Sequence, residues 1–294
     1  MKGKRKKSME MIGQGNTAQI YEYGEGKILK LFRTGIDDVI ASGEYDKACT
    51  AYEVLGEKVP KVYGKAEYEK RFGIIYEKVE GKDMLKMMLS DLFHVKRYSR
   101  QLAQYHVSIQ QETDKALPTV KEKLKADIEA VSDLDEKEKR QIGKVLSALP
   151  EGKTLCHFDF HPGNIMIRKN KPVILDWMTA CVGNPCADAA RTCMMLQYAE
   201  IPRVPGIINF LFHVIKKRIF HFYLSEYLKL TGFSEDKIKE WYLPIMVARL
   251  REWIPGRERE RLVIEIKEQL QTDIQGRSKR ESGDGKKIGC GHTV

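Results

Sequence analysis

The segment that most constrains the fold of this chain is 155–177, which reads LCHFDFHPGNIMIRKNKPVILDW. Within it, His157, Asp159 and Asn164 are spaced as H-x-D-x-x-x-x-N, and Asp176 follows twelve residues after Asn164. The alternative interpretation is a buried His–Asp cluster that only caps a hairpin. That would require four polar positions and their spacing to agree by accident, so the spacing favours a functional site.

Two short apolar runs, 165–167 and 173–175, lie between these polar residues and have the composition of strands. The polar residues 168–171 suit the turn of a hairpin between them. A loop would then present a carboxylate and an amide beside a second carboxylate at the end of the next strand. A carboxylate and an amide oxygen suit Mg²⁺, which takes few protein ligands plus phosphate oxygens. Asp159 remains free to act on a substrate proton, and phosphoryl transfer needs this division of roles.

The pattern HxDxHPGNI followed by LDW resembles the catalytic loop and metal aspartate of the aminoglycoside phosphotransferase and choline kinase-like family. The resemblance implies a protein kinase-like fold and the use of ATP and Mg²⁺. It implies that Asp159 is the catalytic base or positions the acceptor, and that Asn164 and Asp176 bind the metal. His157 belongs to the same catalytic loop, where we expect it to hold the loop by hydrogen bonds.

A glycine-containing loop precedes a strand that carries a lysine. Gly13, Gly15, Asn16 and Thr17 lie between two predicted strands, where exposed backbone N–H groups can bind phosphate oxygens. Lys30 lies in the apolar run ILKLF, and a strand of this kind seldom buries a lysine without a partner. The resemblance implies that the loop and Lys30 contact the nucleotide phosphates.

Residues 37–55 are predicted to form a helix, and Glu44 is the expected partner of Lys30. Glu44 falls on the apolar stripe of the helix, where a carboxylate suggests a paired charge, whereas Glu53 points off the stripe and is the weaker candidate. The stripe comprises Ile40, Ala48, Ala51 and Leu55.

The runs 59–63 and 72–76 predict two further strands, which complete a small five-stranded sheet with one helix. The polar residues that follow match the family's hinge in position. The resemblance therefore implies that the backbone from Glu77 to Val79 contacts the nucleotide base.

The chain after Gly81 is predicted to be mostly helical, with Asp83 as a cap, helices at 119–131 and 135–149, and about three helices within 207–275. His106 is predicted to be a core histidine. The run GNPCADAAR resembles a family segment in which Asp188 would anchor the catalytic loop and Arg191 would be its structural partner.

The predicted fold class is α+β and bilobal. A basic extension, 1–8, precedes a nucleotide-binding lobe at 9–79 that has a small antiparallel sheet and one helix. A larger, mainly helical lobe at 80–275 contains the catalytic loop and the acceptor site. Residues 276–294 are rich in glycine, serine and charge, which predicts a disordered tail.

Composition limits the other classes of function. The net charge is +10, but the excess lies mostly in 1–7 and 276–294, so no specific nucleic-acid partner is expected. No apolar run is long enough for a membrane span, and no apolar segment follows the basic N-terminus as in a secretory signal. The six cysteines form no C-x-x-C pair, which indicates free thiols and a cytoplasmic location.

The predicted function is ATP-dependent transfer of a phosphoryl group to a hydroxyl of a small molecule, such as an aminoglycoside, an amino alcohol or a sugar. The alternatives are a regulatory nucleotide-binding module without turnover and a kinase that acts on proteins. The acceptor and the preference for ATP or GTP stay open. Trp241, Tyr242 and Trp253 are either core residues or an aromatic cage for a cationic acceptor.

Overall fold

The computed structural model describes residues 9–15, 17–200 and 206–284, and their side chains except at 38, 206–212 and 272–284. The basic extension 1–8 and Asn16 therefore lie outside the described residues. The N-terminal sheet comprises β1 (Met11–Gln14), β2 (Ala18–Glu22), β3 (Lys27–Phe32), β4 (Val62–Tyr68) and β5 (Arg71–Glu77). The strands are antiparallel in the order β1-β2-β3-β5-β4. Gly24 and Gly26, at φ 72° and 65°, form the β2–β3 turn in a backbone region that glycine enters without strain.

Strand β4 begins later than the sequence predicted. Residues 56–58 form a short 3₁₀ turn and Val59 is buried, but pairing with β5 begins only at Val62. Pro60 has no N–H group to donate to a ladder, which explains why the strand starts beyond it. The predicted run 59–63 is therefore wrong at its first residues, while the predicted number of strands is confirmed.

Helix α1 (Asp38–Leu55) begins at Asp37, whose carboxylate accepts the N–H of Val39 at 2.8 Å. Its buried face contains Ala41, Glu44, Ala48, Ala51 and Leu55. The prediction that Ile40 shares this face is wrong, since Ile40 is 57% exposed. The stripe follows steps of three and four residues from Ala41, which turns the preceding position toward solvent.

The second lobe is mainly helical, as predicted. A short strand β6 (Lys82–Asp83) precedes α2 (Met84–Ser90), and Asp83 caps this helix by accepting the N–H of Lys86 at 3.0 Å. The helices α3 (Val95–Ile109), α4 (Val120–Glu129) and α5 (Glu136–Ala148) follow. Capping boxes begin α4 and α5, and these two helices confirm the pair predicted at 119–131 and 135–149.

Four short strands frame the segment 155–177. Strand β7 (Thr154–Cys156) pairs with β10 (Cys181–Gly183), and β8 (Ile165–Arg168) pairs with β9 (Lys171–Ile174). The β8–β9 turn uses Lys169 and Asn170, both at positive φ, which matches the twist of a tight hairpin. The predicted hairpin is confirmed.

The last part of the described chain is helical. It comprises α6 (Pro185–Tyr198), α7 (Gly206–Thr231), α8 (Glu235–Lys239), α9 (Tyr242–Arg249) and α10 (Gly256–Asp284). Helix α10 runs to Asp284, past residue 276, where the sequence analysis placed the start of a disordered tail; that tail stays a prediction. Residues 285–294 lie outside the described part. Within the described residues no helix is long and apolar enough to cross a membrane.

The main core joins the two lobes. Ala51 and Leu55 of α1 belong to the same buried cluster as the helices of the second lobe, and a smaller cluster lies between α1 and the sheet. Trp241 is part of the main cluster, whereas Trp253 is 75% exposed, so these two residues do not share one cage. The described cysteines are free thiols.

Candidate active site

The catalytic loop leaves β7 with a strained residue. Phe158 has φ 63°, which is uncommon for a bulky side chain. The carboxylate of Asp188 accepts the N–H of His157 at 3.0 Å and that of Phe158 at 2.8 Å. His106 approaches the same carboxylate at 3.0 Å through Nε2, and both side chains are fully buried. Asp188 therefore holds the catalytic loop in a strained conformation. This agrees with its predicted role as the anchor of that loop.

His157 is buried and uses both ring nitrogens. Nε2 donates to the carbonyl of Leu175 at 2.8 Å, and Nδ1 accepts the N–H of Asp159 at 3.2 Å. These partners indicate the neutral Nε2–H tautomer. Burial lowers the pKa of His157, because the surrounding apolar groups disfavour the imidazolium. The contacts of His157 thus link the catalytic loop to the segment that ends at Asp176.

Asp159 lies at the partly open end of the loop. Burial by itself would raise the pKa of Asp159, but the imidazole of His161 and the guanidinium of Arg191 outweigh it, and the pKa lies well below the ordinary range. His161 Nε2 is 3.7 Å from Asp159 Oδ2, and His161 Nδ1 accepts the N–H of Gly163. Asp159 is therefore ionised at neutral pH and is able to accept a proton or a hydrogen bond.

Asn164 connects Asp159 to the segment that ends at Asp176 through hydrogen bonds of its side chain and backbone. Its Nδ2 donates to the backbone oxygen of Asp159 at 2.9 Å and to Asp159 Oδ2 at 3.2 Å. Its backbone oxygen accepts the N–H of Leu175 at 2.8 Å, one residue before Asp176. Because Nδ2 is used in this way, Asn164 would offer Oδ1 to a cation.

Asp176 ends the hairpin in the left-handed conformation, with φ 58° and ψ 72°. Trp177 secures this turn, since its indole N–H donates to the carbonyl of Ile174 at 3.0 Å and its ring lies 4.6 Å from that of His157. The carboxylate of Asp176 is partly exposed and contacts Lys30 at 3.1 Å. The Asp-Trp pair thus places a carboxylate from the second lobe against a lysine from the first.

Lys30 Nζ bridges two carboxylates. It lies 2.6 Å from Glu44 Oε1, the partner predicted from the sequence, and 3.1 Å from Asp176 Oδ1. Glu53 instead pairs with Lys115. Burial by itself would lower the pKa of Lys30, but the two carboxylates outweigh it and raise the pKa above its ordinary value. Lys30 is therefore a permanent cation at the junction of the lobes.

Tyr76 supports this pair and was missed in the sequence. Its hydroxyl donates to Glu44 Oε1 at 3.2 Å from strand β5, next to β3. Burial raises the pKa of Glu44, whereas Lys30 and the Tyr76 hydroxyl act to lower it. The hydroxyl of a half-buried tyrosine in a strand usually has a hydrogen-bond partner, which was the available signal.

The glycine loop is held by a residue that the sequence did not single out. Arg33, just beyond β3, donates to the backbone oxygen of Gly15 at 3.1 Å and to the side chain of Gln14 at 3.2 Å. Its N–H donates to the oxygen of Thr17 at 2.8 Å. A side chain at Gly13 or at Gly15 would meet only ordinary contacts within the protein, so internal packing does not require either glycine.

The side chain of Glu77, in the predicted hinge from Glu77 to Val79, contacts the second lobe. The Glu77 carboxylate pairs with Arg168 of β8 and accepts the N–H of Lys61 at 3.2 Å. A side chain at Gly81 would lie 2.7 Å from the backbone oxygen of Ile167, so the chain passes β8 closely there. Val79 lies between Glu77 and Gly81 in the chain. The resemblance predicted that the backbone of this segment contacts the nucleotide base.

The predicted role of Arg191 as the partner of Asp188 is wrong. Arg191 instead pairs with Glu252, which lies in the exposed turn between α9 and α10, while Asp188 pairs with His106. A guanidinium three residues after Asp188 on the same helix is a plausible i,i+3 partner from the sequence alone. The distant Glu252 prevails because α6 and α9 pack together.

Protonation of His157 is expected to cost stability. Its pKa is lowered in the folded protein, so the unfolded chain binds the proton more tightly, and the free energy of unfolding should fall as the pH drops below 6.5. The slope contributed by one group is at most about 1.4 kcal/mol per pH unit. We expect the free energy of unfolding of His157→Gln, measured with urea, to vary less between about pH 7 and about pH 5 than that of the wild type. The control is His221→Gln at an exposed position, and an equal slope in wild type and His157→Gln would contradict the assignment.

Comparison with known proteins agrees with this geometry. The sequence model of the phosphotransferase enzyme family matches residues 9–208, which is more than half of the 294 residues. The match extends from β1 through the hinge and catalytic loop to the beginning of α7. A search of curated protein sequences found no significant match.

Solved structures of aminoglycoside phosphotransferases have a similar fold, which confirms the predicted bilobal, protein kinase-like fold class. An aminoglycoside-3'-phosphotransferase of type VIII has a TM-score of 0.55 at 17% identity, with 83% of this chain and 93% of that chain covered. The streptomycin–ATP ternary complex of APH(2")-IIa has a TM-score of 0.54 at 14% identity, with 89% and 91% covered. Its gentamicin complex has a TM-score of 0.53 at 14% identity, with 90% of each chain covered. Since the family's sequence model matches more than half of the chain, including the N-terminal sheet and the catalytic loop, the chain belongs to the phosphotransferase enzyme family.

Proposed function

We propose that this phosphotransferase moves the γ-phosphoryl group of ATP to a hydroxyl group of a small molecule. The observation that carries the proposal is the bridge made by Lys30 between Glu44 and Asp176. It joins the sheet, helix α1 and the end of the β8–β9 hairpin at one point. A paired lysine, a metal-binding carboxylate and a nearby base are the parts that kinases use to position phosphates.

The residues present fit a magnesium ion. Asp176 offers a partly exposed carboxylate and Asn164 an amide oxygen, which are hard oxygen ligands. Among the described residues, no group of three or more His, Cys, Asp or Glu side chains could hold a metal alone. A cation with few protein ligands, completed by nucleotide oxygens and water, is compatible with this. When bound, Mg²⁺ neutralises charge on the phosphate oxygens.

Asp159 would accept or orient the proton of the acceptor hydroxyl. Its depressed pKa makes it a weak base, so its main contribution is a hydrogen bond that aims the hydroxyl oxygen at phosphorus. This is sufficient for phosphoryl transfer, because the transition state is loose and needs little nucleophile activation. His157 acts through the loop, since both of its ring nitrogens are engaged by the protein.

The nucleotide would lie between the lobes, under the loop of Gly13 and Gly15 and against the backbone from Glu77 to Val79. Lys30 would bind its phosphates. One solved complex of similar fold contains ATP and another, at 15% identity, contains GDP, so nucleotide binding is measured with both ATP and GTP.

The acceptor is tested by an unbiased screen. The full-length enzyme is incubated with Mg-ATP and a pool of metabolites and aminoglycosides, and mass spectrometry detects compounds that gain one phosphate. ADP release with the isolated acceptor confirms turnover. An enzyme that binds Mg-ATP yet transfers phosphate to nothing in a broad panel would favour the regulatory-module alternative. Transfer to protein substrates alone would favour a protein kinase.

Asp176→Asn is expected to weaken binding of the Mg–nucleotide complex by about tenfold or more, because the metal loses an anionic ligand. Binding of nucleotide in the presence of EDTA should change much less. Isothermal titration calorimetry under both conditions makes the comparison. Asp114→Asn, at an exposed surface pair, is the matched control. Equal weakening with and without Mg²⁺ would show that Asp176 acts on Lys30 and not on the metal.

A further inference from the structure

Helix α2 and the short turn that follows it have exposed as well as buried apolar side chains. Met84 and Met88 are buried in the main core, as expected for a surface helix. Leu85 and Leu89, one helical turn apart on α2, are nevertheless exposed, and so is Leu92 in the short 3₁₀ turn after the helix ends at Ser90. A surface helix ordinarily presents polar side chains on its exposed face.

Phe93, the next residue of this turn, is exposed as well. The four apolar side chains are between 39% and 100% exposed, and Phe93 is the fully exposed one. Scattered apolar residues on a surface are ordinary, but a contiguous exposed group marks a site of interaction. We refer to Leu85, Leu89, Leu92 and Phe93 as the α2 patch.

Exposed cations surround the α2 patch. They lie on α2 and on the first turns of α3: Lys86, Lys96, Arg97 and Arg100. The nearby acidic groups are engaged. Asp83 caps α2, Asp91 accepts from His94 and Tyr98, and Glu226 pairs with Arg100. The four cations outnumber these three carboxylates, so the rim of the patch has a net positive charge.

We propose that the α2 patch is a docking site for the surface of an anionic lipid bilayer. Apolar side chains that enter the interface, surrounded by cations that meet anionic headgroups, are the two contributions that bind peripheral helices to membranes. The shape also fits, since a fully exposed phenylalanine protrudes outward as it would into a fluid interface. This inference does not depend on the proposed reaction.

A second copy of this chain is a poorer occupant. A two-fold interface places the same patch of each subunit against the other. The cations around the α2 patch would then face one another, which is unfavourable electrostatically. An anionic surface instead attracts the cations that have no carboxylate partner.

Docking would bring lipid next to the catalytic loop. Leu85 lies 3.7 Å from the position that a Cβ atom would take at Gly163, in the segment that joins Asp159 to Asn164. The patch thus borders the site without containing any of the residues placed in it.

The test is co-sedimentation of the full-length protein with vesicles of phosphatidylcholine, alone or mixed with phosphatidylglycerol. We expect binding to the anionic vesicles that salt weakens, and little binding to the neutral ones. Leu92→Ser with Phe93→Ser, and separately Lys86→Gln with Lys96→Gln, should each lower the partition coefficient by about tenfold. All variants keep the basic residues 1–7.

Matched controls use equally exposed positions elsewhere: Val39→Ser with Ile40→Ser on α1, and Lys125→Gln with Lys144→Gln on α4 and α5. These should bind vesicles as the wild type does. Thermal unfolding checks that each variant is folded. If the Leu92→Ser, Phe93→Ser double variant does not fold, Phe93→Ser alone is used in its place.

Three outcomes would overturn the proposal. They are equal binding to neutral and anionic vesicles, patch variants that bind as the controls do, and a lipid-free dimer in analytical ultracentrifugation that the Leu92 and Phe93 substitutions dissociate. The last outcome would assign the patch to a second copy of the chain.

Discussion

Asp159→Asn should lower kcat by about 10²-fold or more, because the acceptor hydroxyl loses the hydrogen bond that aims it at phosphorus. The substitution keeps the size of the side chain and one oxygen that can accept from Asn164. It removes the negative charge that would orient the acceptor hydroxyl. Nucleotide affinity should change little, because Lys30, Glu44 and Asp176 are untouched.

The measurement is a steady-state assay of ADP release with the acceptor identified by the screen, together with calorimetry of Mg-ATP binding. Asp114→Asn is the control, since it removes a carboxylate from an exposed surface pair. Unchanged kcat in Asp159→Asn would refute its proposed role. Because the pKa of Asp159 is held well below the ordinary range, a fall in activity between about pH 7 and about pH 5 would have to come from another group.

Asp188→Ala should reduce the free energy of unfolding by about 3–5 kcal/mol, because three buried nitrogen atoms lose their hydrogen-bond partner and each unsatisfied buried group costs about 1–3 kcal/mol. His106 would lose its carboxylate, and the N–H groups of His157 and Phe158 would lose their acceptor. Asp188→Asn should cost less, because its one oxygen can still accept from one N–H group. Urea unfolding measures both, with Asp114→Asn as the exposed control.

The contribution of Asp188 to the free energy of unfolding depends on pH with a definite sign. Burial by itself would raise the pKa of Asp188, but His106, His157 and the loop N–H groups lower it below 3.8. The stability that Asp188 contributes is therefore present above pH 3.8 and is lost as the pH falls through the depressed pKa. Asp188→Asn should lack this loss. A cost below about 1 kcal/mol at neutral pH would indicate that the catalytic loop holds its conformation without Asp188.

Local patterns predicted the elements around the site because local physics determines them. The hairpin of β8 and β9 follows from two apolar runs with a polar turn between them, and the cap at Asp83 follows from the start of its own helix. Glu44 was found because a carboxylate on an apolar helix face needs a buried partner, and Lys30 is that partner.

Contacts between distant segments could not be read in this way. The sequence suggested Asp188 as the partner of Arg191, but the packing of α6 against α9 assigns Arg191 to Glu252. Tyr76, Arg33 and Arg168 support Glu44, the glycine loop and the hinge, and none has a local signature. Each depends on a neighbouring strand or lobe that the linear pattern does not specify.

The sequence by itself determined the family, the bilobal fold class and the spacing of the catalytic loop, because these depend on short-range order and on residue types. Only the tertiary structure decided how the parts of the segment 155–177 are held. Asp188 and His106 stabilise the strained backbone at Phe158, and Lys30 reaches Asp176 from the other lobe. These contacts join residues far apart in the chain, and they form only after the helices and the sheet have packed. The tertiary structure also determines that Leu92 and Phe93 are exposed, because the burial of an apolar residue depends on what packs against it in the folded chain.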